Sequence, residues 1–270
     1  MATDNVLDLG ELYQHINRCI AHIVVFDQGE VISQGTGFAF SEDGQLLTAA
    51  HVVAGGFPVV QGEVDRESRT IVAFFMDQDP ILYRPAICPV SIEGLGLQRP
   101  FQLDVAVVVP TEKSHRRLNF LTASIEPPKL GDCMYFGGFS DEVEIPFLLD
   151  RLLPSTTEGL DVFRRGIATG LKTRLAGSII KHGIVGNVME GCAELEGKTV
   201  LKQTAFYLDN QLHYGASGGP IVDRNGIARG VISKRMVTTA NGAEVPAGST
   251  LGLSFDWMQP LRHAREPRAA

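Results

Sequence analysis

At 270 residues with 44% hydrophobic side chains, the chain can bury a large core in one domain or two ordinary ones, which excludes disorder as the default for any long stretch. A formal charge of −7 and a pI near 5.5 argue against an extended phosphate-binding surface, so nucleic acid is not expected as a partner. Met1 to Leu9 carries Asp4 and Asp8 where a secretory signal has a basic leader and an apolar run, and no run reaches the ~18 apolar residues of a membrane span.

The expectation is therefore a cytoplasmic chain with no membrane partner. Its four cysteines, Cys19, Cys88, Cys133 and Cys192, lack CxxC spacing and are expected to be reduced, buried spectators. In chain order, an amphipathic stretch predicts a helix over Leu9 to Cys19. Beyond it, short apolar runs alternate with turn pairs, which predicts many short strands and an all-β body. The clearest unit runs from Thr36 to Val53, where GTGFAF and QLLTAA flank Ser41-Glu42-Asp43-Gly44. Asp-Gly supplies the positive φ that a tight hairpin needs.

The polar stretch Thr111 to Arg117 then separates the run Val105 to Pro110 from the next apolar series near Phe120, which places a boundary about there. Glu142 to Leu175 reads as a partly helical insert interrupted by Pro154. A second hairpin is predicted over Gly218 to Ser233, with Arg224-Asn225-Gly226 as its turn. A third turn at Asn241-Gly242 leads into the strand LGLSFDW, ending near Trp257. After Met258 come a last helical turn or two and a frayed basic tail.

Three residues carry chemistry together. Ser217 sits in Gly215-Ala216-Ser217-Gly218-Gly219-Pro220, where glycines let several N–H groups crowd one place, as an acyl-transfer site requires for its negative oxygen. His51 follows LLTAA at the expected end of an apolar strand. Asp104 is a lone carboxylate inside PFQLDVAVVVP, where an unpaired charge costs several kcal/mol, on the order of the penalty for a buried ion. A histidine that becomes cationic in turnover fits it as a partner. Nucleophile, base and orienting acid thus occur in the order His, Asp, Ser. Gly215 to Gly219 also fits the GxSxG elbow of α/β-hydrolases, with Asp256 and His263 as acid and base, but Pro220 and the strand-like residues after it stand where an elbow needs a helix. No HExxH, CxxC or carboxylate–histidine cluster points to a metal, and no cofactor is expected. His213, four residues before Ser217, borders either the substrate pocket or solvent.

The stretches GTGFAFSEDGQLLTAAHVV, LDVAVVV, KLGDCMYFGGF, LDNQLHYGASGGPIVD and GLSF resemble, in order and character, trypsin-like serine peptidases of the HtrA/Deg type over about Ala21 to Pro260. The resemblance implies two six-stranded antiparallel β-barrels, residues 20–118 with His51 and Asp104 and residues 119–262 with Ser217, and an active site between them. It implies that His51 is the general base, Asp104 its orienting carboxylate and Ser217 the nucleophile, with the N–H groups of Gly215 and Ser217 as oxyanion hole. Ser233 matches the strand on which substrate backbone pairs, and Lys234 and Arg235 flank the primary specificity pocket. Lys234, Arg235 and His213 favour an acidic residue at the cleaved position, whereas HtrA-like enzymes more often take small aliphatic ones.

Ala216 replaces the usual Asn or Asp, removing an anchor for the oxyanion loop and the aspartate that a new N-terminus pairs with in zymogen activation. A PDZ domain and a bacterial export signal are not expected. The function expected is a cytoplasmic bacterial serine endopeptidase acting on a protein or peptide substrate, restrained by an activating sensor, regulatory protein or oligomerisation. The alternative is a catalytically weak or silent peptide-binding module.

Overall fold

The computed structural model describes residues 8–76, 78–92, 101–112, 117–140, 177–195, 198–240 and 243–259. It opens with α1 (Leu9–Cys19), where Asp8 caps the first turn by accepting from Gly10 N. Leu12, Ile16 and Cys19, spaced along one stripe, are fully buried, which is why this short helix is stable only when docked.

Strands β1 (Ile20–Asp27), β2 (Glu30–Ala39) and β3 (Leu46–Thr48) follow. Two short helices, α2 (Ala50–Ala54) and α3 (Gln61–Val64), come next, then β4 (Arg69–Phe74), β5 (Ile81–Ile87), β6 (Val90–Ile92), β7 (Phe101–Leu103) and β8 (Ala106–Pro110). Neither α2 nor α3 was expected from the sequence, because five and four residues are too few for periodicity to register. The second half holds β9 (Cys133–Phe139), β10 (Ser178–Leu195), β11 (Lys198–Leu208), β12 (Pro220–Val222), β13 (Ala228–Ala240) and β14 (Ala243–Ser254).

Six strands close into a barrel in the order β1-β2-β3-β8-β5-β4, and six more in the order β10-β11-β14-β13-β12-β9. β6 and β7 form a separate two-stranded sheet. Every barrel pairing is antiparallel. Closure leaves each barrel without a long free edge.

The expected hairpins are present. β2 pairs with β3 around Gly44 at φ 77°, and β12 pairs with β13 around Gly226 at φ 79°. In the second turn the Asp223 carboxylate accepts from Asn225 N, Ile227 N and Arg229 Nε, so one side chain organises the whole reversal. Asn241 and Gly242 lie outside the described residues, although the flanking pair Ala240↔Ala243 is in register. The last strand ends at Ser254 rather than near Trp257. There Asp256–Met258 forms a 3-10 turn, and buried Asp256 accepts from Thr204 N, Thr204 Oγ1 and Ser254 Oγ. The expected insert from Glu142 to Leu175 and the basic tail fall outside the described residues.

The core has three parts. One fills the first barrel, including Ile23, Val25 and Val108, and one fills the second, including Phe136, Phe206 and Ile232. The third joins them beneath α1: Leu12 and Ile16 pack with Phe38 and Leu47 of the first barrel and with Val231, Phe255 and Trp257 of the second. The connecting segment is stitched to both barrels, through Leu121 N to Ala39 O at 2.9 Å and Ala228 N to Thr122 O at 2.8 Å.

Among the cysteines, burial pushes the thiols of Cys19 and Cys88 up to about 12. Cys133 and Cys192 are exposed, against the expectation that all four are buried. Both lie on β-strands, whose alternation puts every second side chain outside. Among the described residues no helix is long and apolar enough to cross a membrane.

The barrel–barrel core makes a testable demand. Phe38 and Phe255 approach with ring centroids 6.3 Å apart, and both are fully buried. Phe38→Ala is expected to lower unfolding stability by about 3–5 kcal/mol in urea denaturation, through lost transfer energy and the cavity left behind.

Candidate active site

β3 ends at Thr48 and the chain turns at once into α2, which stops at Gly55 in the left-handed region at φ 80°. Val52 and Val53 face the first-barrel core, which leaves the His51 side chain on the other side with 28% of its surface exposed. His51 is thus in the first turn of a short helix, not at a strand end.

Asp104 occupies the bend between β7 and β8, between the buried side chains of Leu103 and Val105. Its carboxylate is fully engaged. Oδ1 accepts from the His51 main-chain N at 3.0 Å, and the His51 Nδ1 lies 3.0 Å from Oδ1 and 2.9 Å from Oδ2. The Ser233 hydroxyl donates to Oδ2 at 2.6 Å. Burial pushes the Asp104 carboxyl up, but the hydrogen bond and charge of His51, the Ser233 hydroxyl and the His51 amide outweigh it and hold the group below the ordinary 3.8. An ionised carboxylate only accepts, so His51 Nδ1 carries a proton in either charge state, and the neutral imidazole has its lone pair on Nε2.

Ser233 therefore does something other than line a pocket with its side chain. β13 bulges between Ile232 and Lys234 against β14, and the extra residue turns the Ser233 hydroxyl inward to Asp104.

Ser217 follows Leu208 on a loop that is pinned at many points. Thr250 Oγ1 donates to Asn210 O at 2.9 Å and accepts from Leu212 N at 3.1 Å. Lys181 Nζ donates to Gln211 O at 2.6 Å. His213 is half-buried, with Nδ1 3.2 Å from Tyr214 O. Further pins come from the other barrel. Thr36 N donates to Ser217 O at 2.8 Å, and Thr36 Oγ1 donates to Gly215 O at 2.8 Å while accepting from Phe139 N at 2.9 Å.

Close packing on both sides of the loop, against the first barrel at Gly218 and against β9 at Gly219, explains the paired glycines after the serine. A Cβ on Gly218 would lie 2.1 Å from Thr36 O and 2.2 Å from Thr48 Oγ1, and one on Gly219 would lie 2.0 Å from Gly137 O. No side chain fits such approaches. Ala216 points into the second-barrel core with 1% exposure, so an Asp or Asn there would bury a polar group among apolar side chains. The anchoring that such a residue lends elsewhere comes here from Thr36.

Thr36 was missed in the sequence reading, although a hydroxyl between two glycines in an otherwise apolar strand is a recoverable signal of a buried polar contact. Lys234 and Arg235 continue along β13, and the Arg235 guanidinium lies over the Tyr214 ring at 3.2 Å from its centroid. Among the described residues, no hydrogen bond joins Ser217 Oγ to the imidazole, and neither Gly215 N nor Ser217 N donates to a protein acceptor. No group of three or more His, Cys, Asp or Glu among the described residues could hold a metal ion. The α/β-hydrolase alternative is excluded. Pro220 continues as strand β12, and Asp256 is committed to Thr204 and Ser254.

A profile of trypsin-like peptidase domains matches residues 35–231, most of the chain, with His51, Asp104 and Ser217 inside the match. The chain belongs to the trypsin-like peptidase family. Among solved structures, it is similar to Rv3671c of M. tuberculosis H37Rv in an inactive form with one serine changed to alanine: TM-score 0.52, 16% identity, covering 100% of this chain and 98% of that one. A second inactive structure of the Rv3671c protease gives TM-score 0.52 at 15% identity, covering 95% and 93%. An HtrA-type protease, AlgW, in a serine-to-alanine variant with a tripeptide, gives TM-score 0.57 at 16% identity, covering 96% of this chain and 63% of that one. At such identities these structures speak for the fold. No curated protein sequence matches the chain.

Two outcomes follow for this member of the family. Because the Asp104 pKa is depressed on folding, its stabilisation is full above the ordinary carboxylate value and is lost as pH falls through the folded one. The urea-midpoint lead of wild type over Asp104→Asn is expected to hold at pH 6 and to narrow below about pH 4. Thr36→Val keeps the shape but leaves Gly215 O and Phe139 N without their partner, each loss costing about 1–3 kcal/mol. It should lower thermal stability, while Thr36→Ser should stay close to wild type.

Proposed function

We propose that the chain is a serine endopeptidase. The observation that carries this reading is the Asp104–His51 contact, in which both carboxylate oxygens face Nδ1 and Ser233 completes the shell. This arrangement fixes the imidazole tautomer with its basic Nε2 free for work. It is what a general base for a hydroxyl nucleophile needs, while the Ser217 loop is docked onto β2 beside it.

In this reading Ser217 Oγ attacks the scissile carbonyl carbon of a peptide as Nε2 takes the hydroxyl proton. The carbonyl π electrons move to oxygen, and Gly215 N–H and Ser217 N–H donate to the resulting oxyanion. The C–N bond then breaks, His51 returns the proton to the leaving amine, and an acyl ester remains on Ser217. Water repeats the sequence and releases the acid. Asp104 stays ionised and supports the imidazolium throughout. Ser233 and the two residues after it border the substrate groove, with Lys234, Arg235 and His213 near the residue that supplies the attacked carbonyl.

A second reading, a silent cleft that binds peptides without cleaving them, draws on the missing hydrogen bond between Ser217 Oγ and the imidazole. A regulated peptidase accommodates the same observation, because nucleophile–base contacts are often loose before substrate arrives. A partner or a second copy that draws the serine to Nε2 would then act as the switch. The four free thiols fit a reducing, cytoplasmic setting.

Fluorophosphonate labelling with mass spectrometry of the adduct separates the two. Labelling at Ser217, absent in Ser217→Ala and slowed at least 1000-fold in His51→Ala, is the expected result for an activated nucleophile. Absence of an adduct, with the wild type and Ser217→Ala binding a peptide equally, would establish the silent cleft.

A further inference from the structure

We propose that Gln102 is a positioning residue for the His51–Asp104 pair, acting through a two-bond clamp on the main chain of Val59. The proposal deepens the peptidase reading above and rests on it. Asp104 stands where the chain passes from β7 into β8. A hydrogen bond from Val105 N to Leu103 O at 2.8 Å makes that passage a three-residue turn with Asp104 at its apex. The direction of an apex side chain follows the chain on either side of it. β8 lies inside the first barrel, between β3 and β5, whereas β7 pairs with β6 in the separate two-stranded sheet. A two-stranded sheet is marginally stable by itself, so the incoming side of the Asp104 turn needs fastening from elsewhere.

The His51 side of the contact belongs to the barrel. Ala50, Val52, Val53 and Ala54 of α2 lie in the first-barrel core, and so does Val59 beyond the helix. Arg69 of β4, its side chain 5% exposed, donates from Nη1 to Ala54 O at 3.1 Å and holds the end of α2. Gln102 bridges from β7 to this fixed segment. Its Oε1 accepts from Val59 N at 2.8 Å, and its Nε2 donates to Val59 O at 2.9 Å. A primary amide carries an acceptor and a donor side by side on one carbon, so Gln102 serves both main-chain groups of a buried residue as a neighbouring strand would.

Two positions later, Asp104 accepts from His51 N and turns both oxygens to His51 Nδ1. The stretch Gln102–Asp104 therefore grips one segment at two points, Val59 and His51. Buried Leu103 and the Ser233 hydroxyl restrain the turn from the interface side, and the Gln102 clamp restrains it from the first barrel. Loss of the clamp lets β7 pivot about the remaining contacts, and the carboxylate moves with it. A misplacement of about 1 Å at a reacting group costs up to about 100-fold in rate.

The test compares Gln102→Leu, which keeps the bulk and makes neither bond, with Gln102→Glu, which at neutral pH accepts from Val59 N but offers Val59 O no donor. Ser91→Ala, opposite Gln102 on β6, alters the same small sheet without touching the clamp. Two quantities are read on the folded full chain. One is the rate constant for fluorophosphonate labelling of Ser217, and the other is the pair of ring-nitrogen NMR shifts of His51, identified by their absence in His51→Ala. The labelling constant is expected to fall about 10- to 100-fold in Gln102→Leu, to fall less in Gln102→Glu, and to match wild type in Ser91→Ala. The neutral imidazole of Gln102→Leu should show mixed tautomers where wild type holds the proton on Nδ1, a change that lost stability alone does not produce. With a peptide substrate, kcat should fall and KM stay, because Gln102 grips Val59 and not the groove. Wild-type labelling with an unchanged tautomer in Gln102→Leu overturns the clamp and leaves the peptidase reading standing. An equal fall in Ser91→Ala also overturns it, since the effect then belongs to the sheet. No labelling of Ser217 in wild type removes the peptidase reading, and the tautomer alone then decides the clamp: mixed tautomers in Gln102→Leu uphold it and a retained Nδ1 proton overturns it. Should Gln102→Leu not fold, Gln102→Glu carries the comparison.

Discussion

The backbone of β2 and the backbone of the Ser217 loop approach so closely that no atom fits between them, and most of the site depends on that contact. Thr36 is the point of approach. Its N–H and hydroxyl hold the carbonyls of Ser217 and Gly215, while its own carbonyl accepts from Thr48 Oγ1 at 2.6 Å, directly before the helix that carries His51. One residue of the first barrel thus positions the candidate nucleophile of the second relative to the candidate base. The requirement propagates outward. Gly218 and Gly219 must lack side chains because backbone atoms of the opposing strands fill the space a Cβ needs, and closing the interface beneath them takes Phe38, Phe255 and the buried stripe of α1.

A second constraint is electrostatic. Asp104 stands at a bend between apolar neighbours, and a carboxylate there persists ionised only if donors surround it. Two come from His51 and one from Ser233, so barrel 1 and barrel 2 each supply part of its shell. That division ties the tautomer of His51 to correct docking of the barrels. The bulge at Ser233 is part of this arrangement, since a regular strand alternates its side chains and buried Ile232 precedes Ser233 directly.

The Ser217 loop shows a graded mechanical character. Its ends are held by buried hydroxyls and main-chain pairs, whereas the Tyr214 ring is exposed and stacks against Arg235. Buried hydrogen bonds resist rearrangement because breaking them leaves polar groups unpaired away from water. An exposed ring has no such penalty.

The sequence alone determined the all-β class, helix α1 and the two glycine-turn hairpins, and it singled out His51, Asp104 and Ser217 as candidates. Each rests on a short-range signal: a period of 3.6, a turn pair that demands positive φ, or an isolated polar side chain in an apolar run. Barrel closure came from family resemblance, and the helix at His51 was too short to be seen. Only the tertiary structure decided that Thr36 holds the serine loop, that Ser233 turns inward to Asp104, that Ala216 belongs to the core and that Cys133 and Cys192 face outward. The first two of these properties depend on partners more than 100 residues away in the chain: Thr36 and Gly215 are 179 apart, and Asp104 and Ser233 are 129 apart. Local patterning carries no record of which strand will lie opposite, because the choice is made by barrel closure and by packing between barrels, where the fit of whole surfaces is what lowers the free energy.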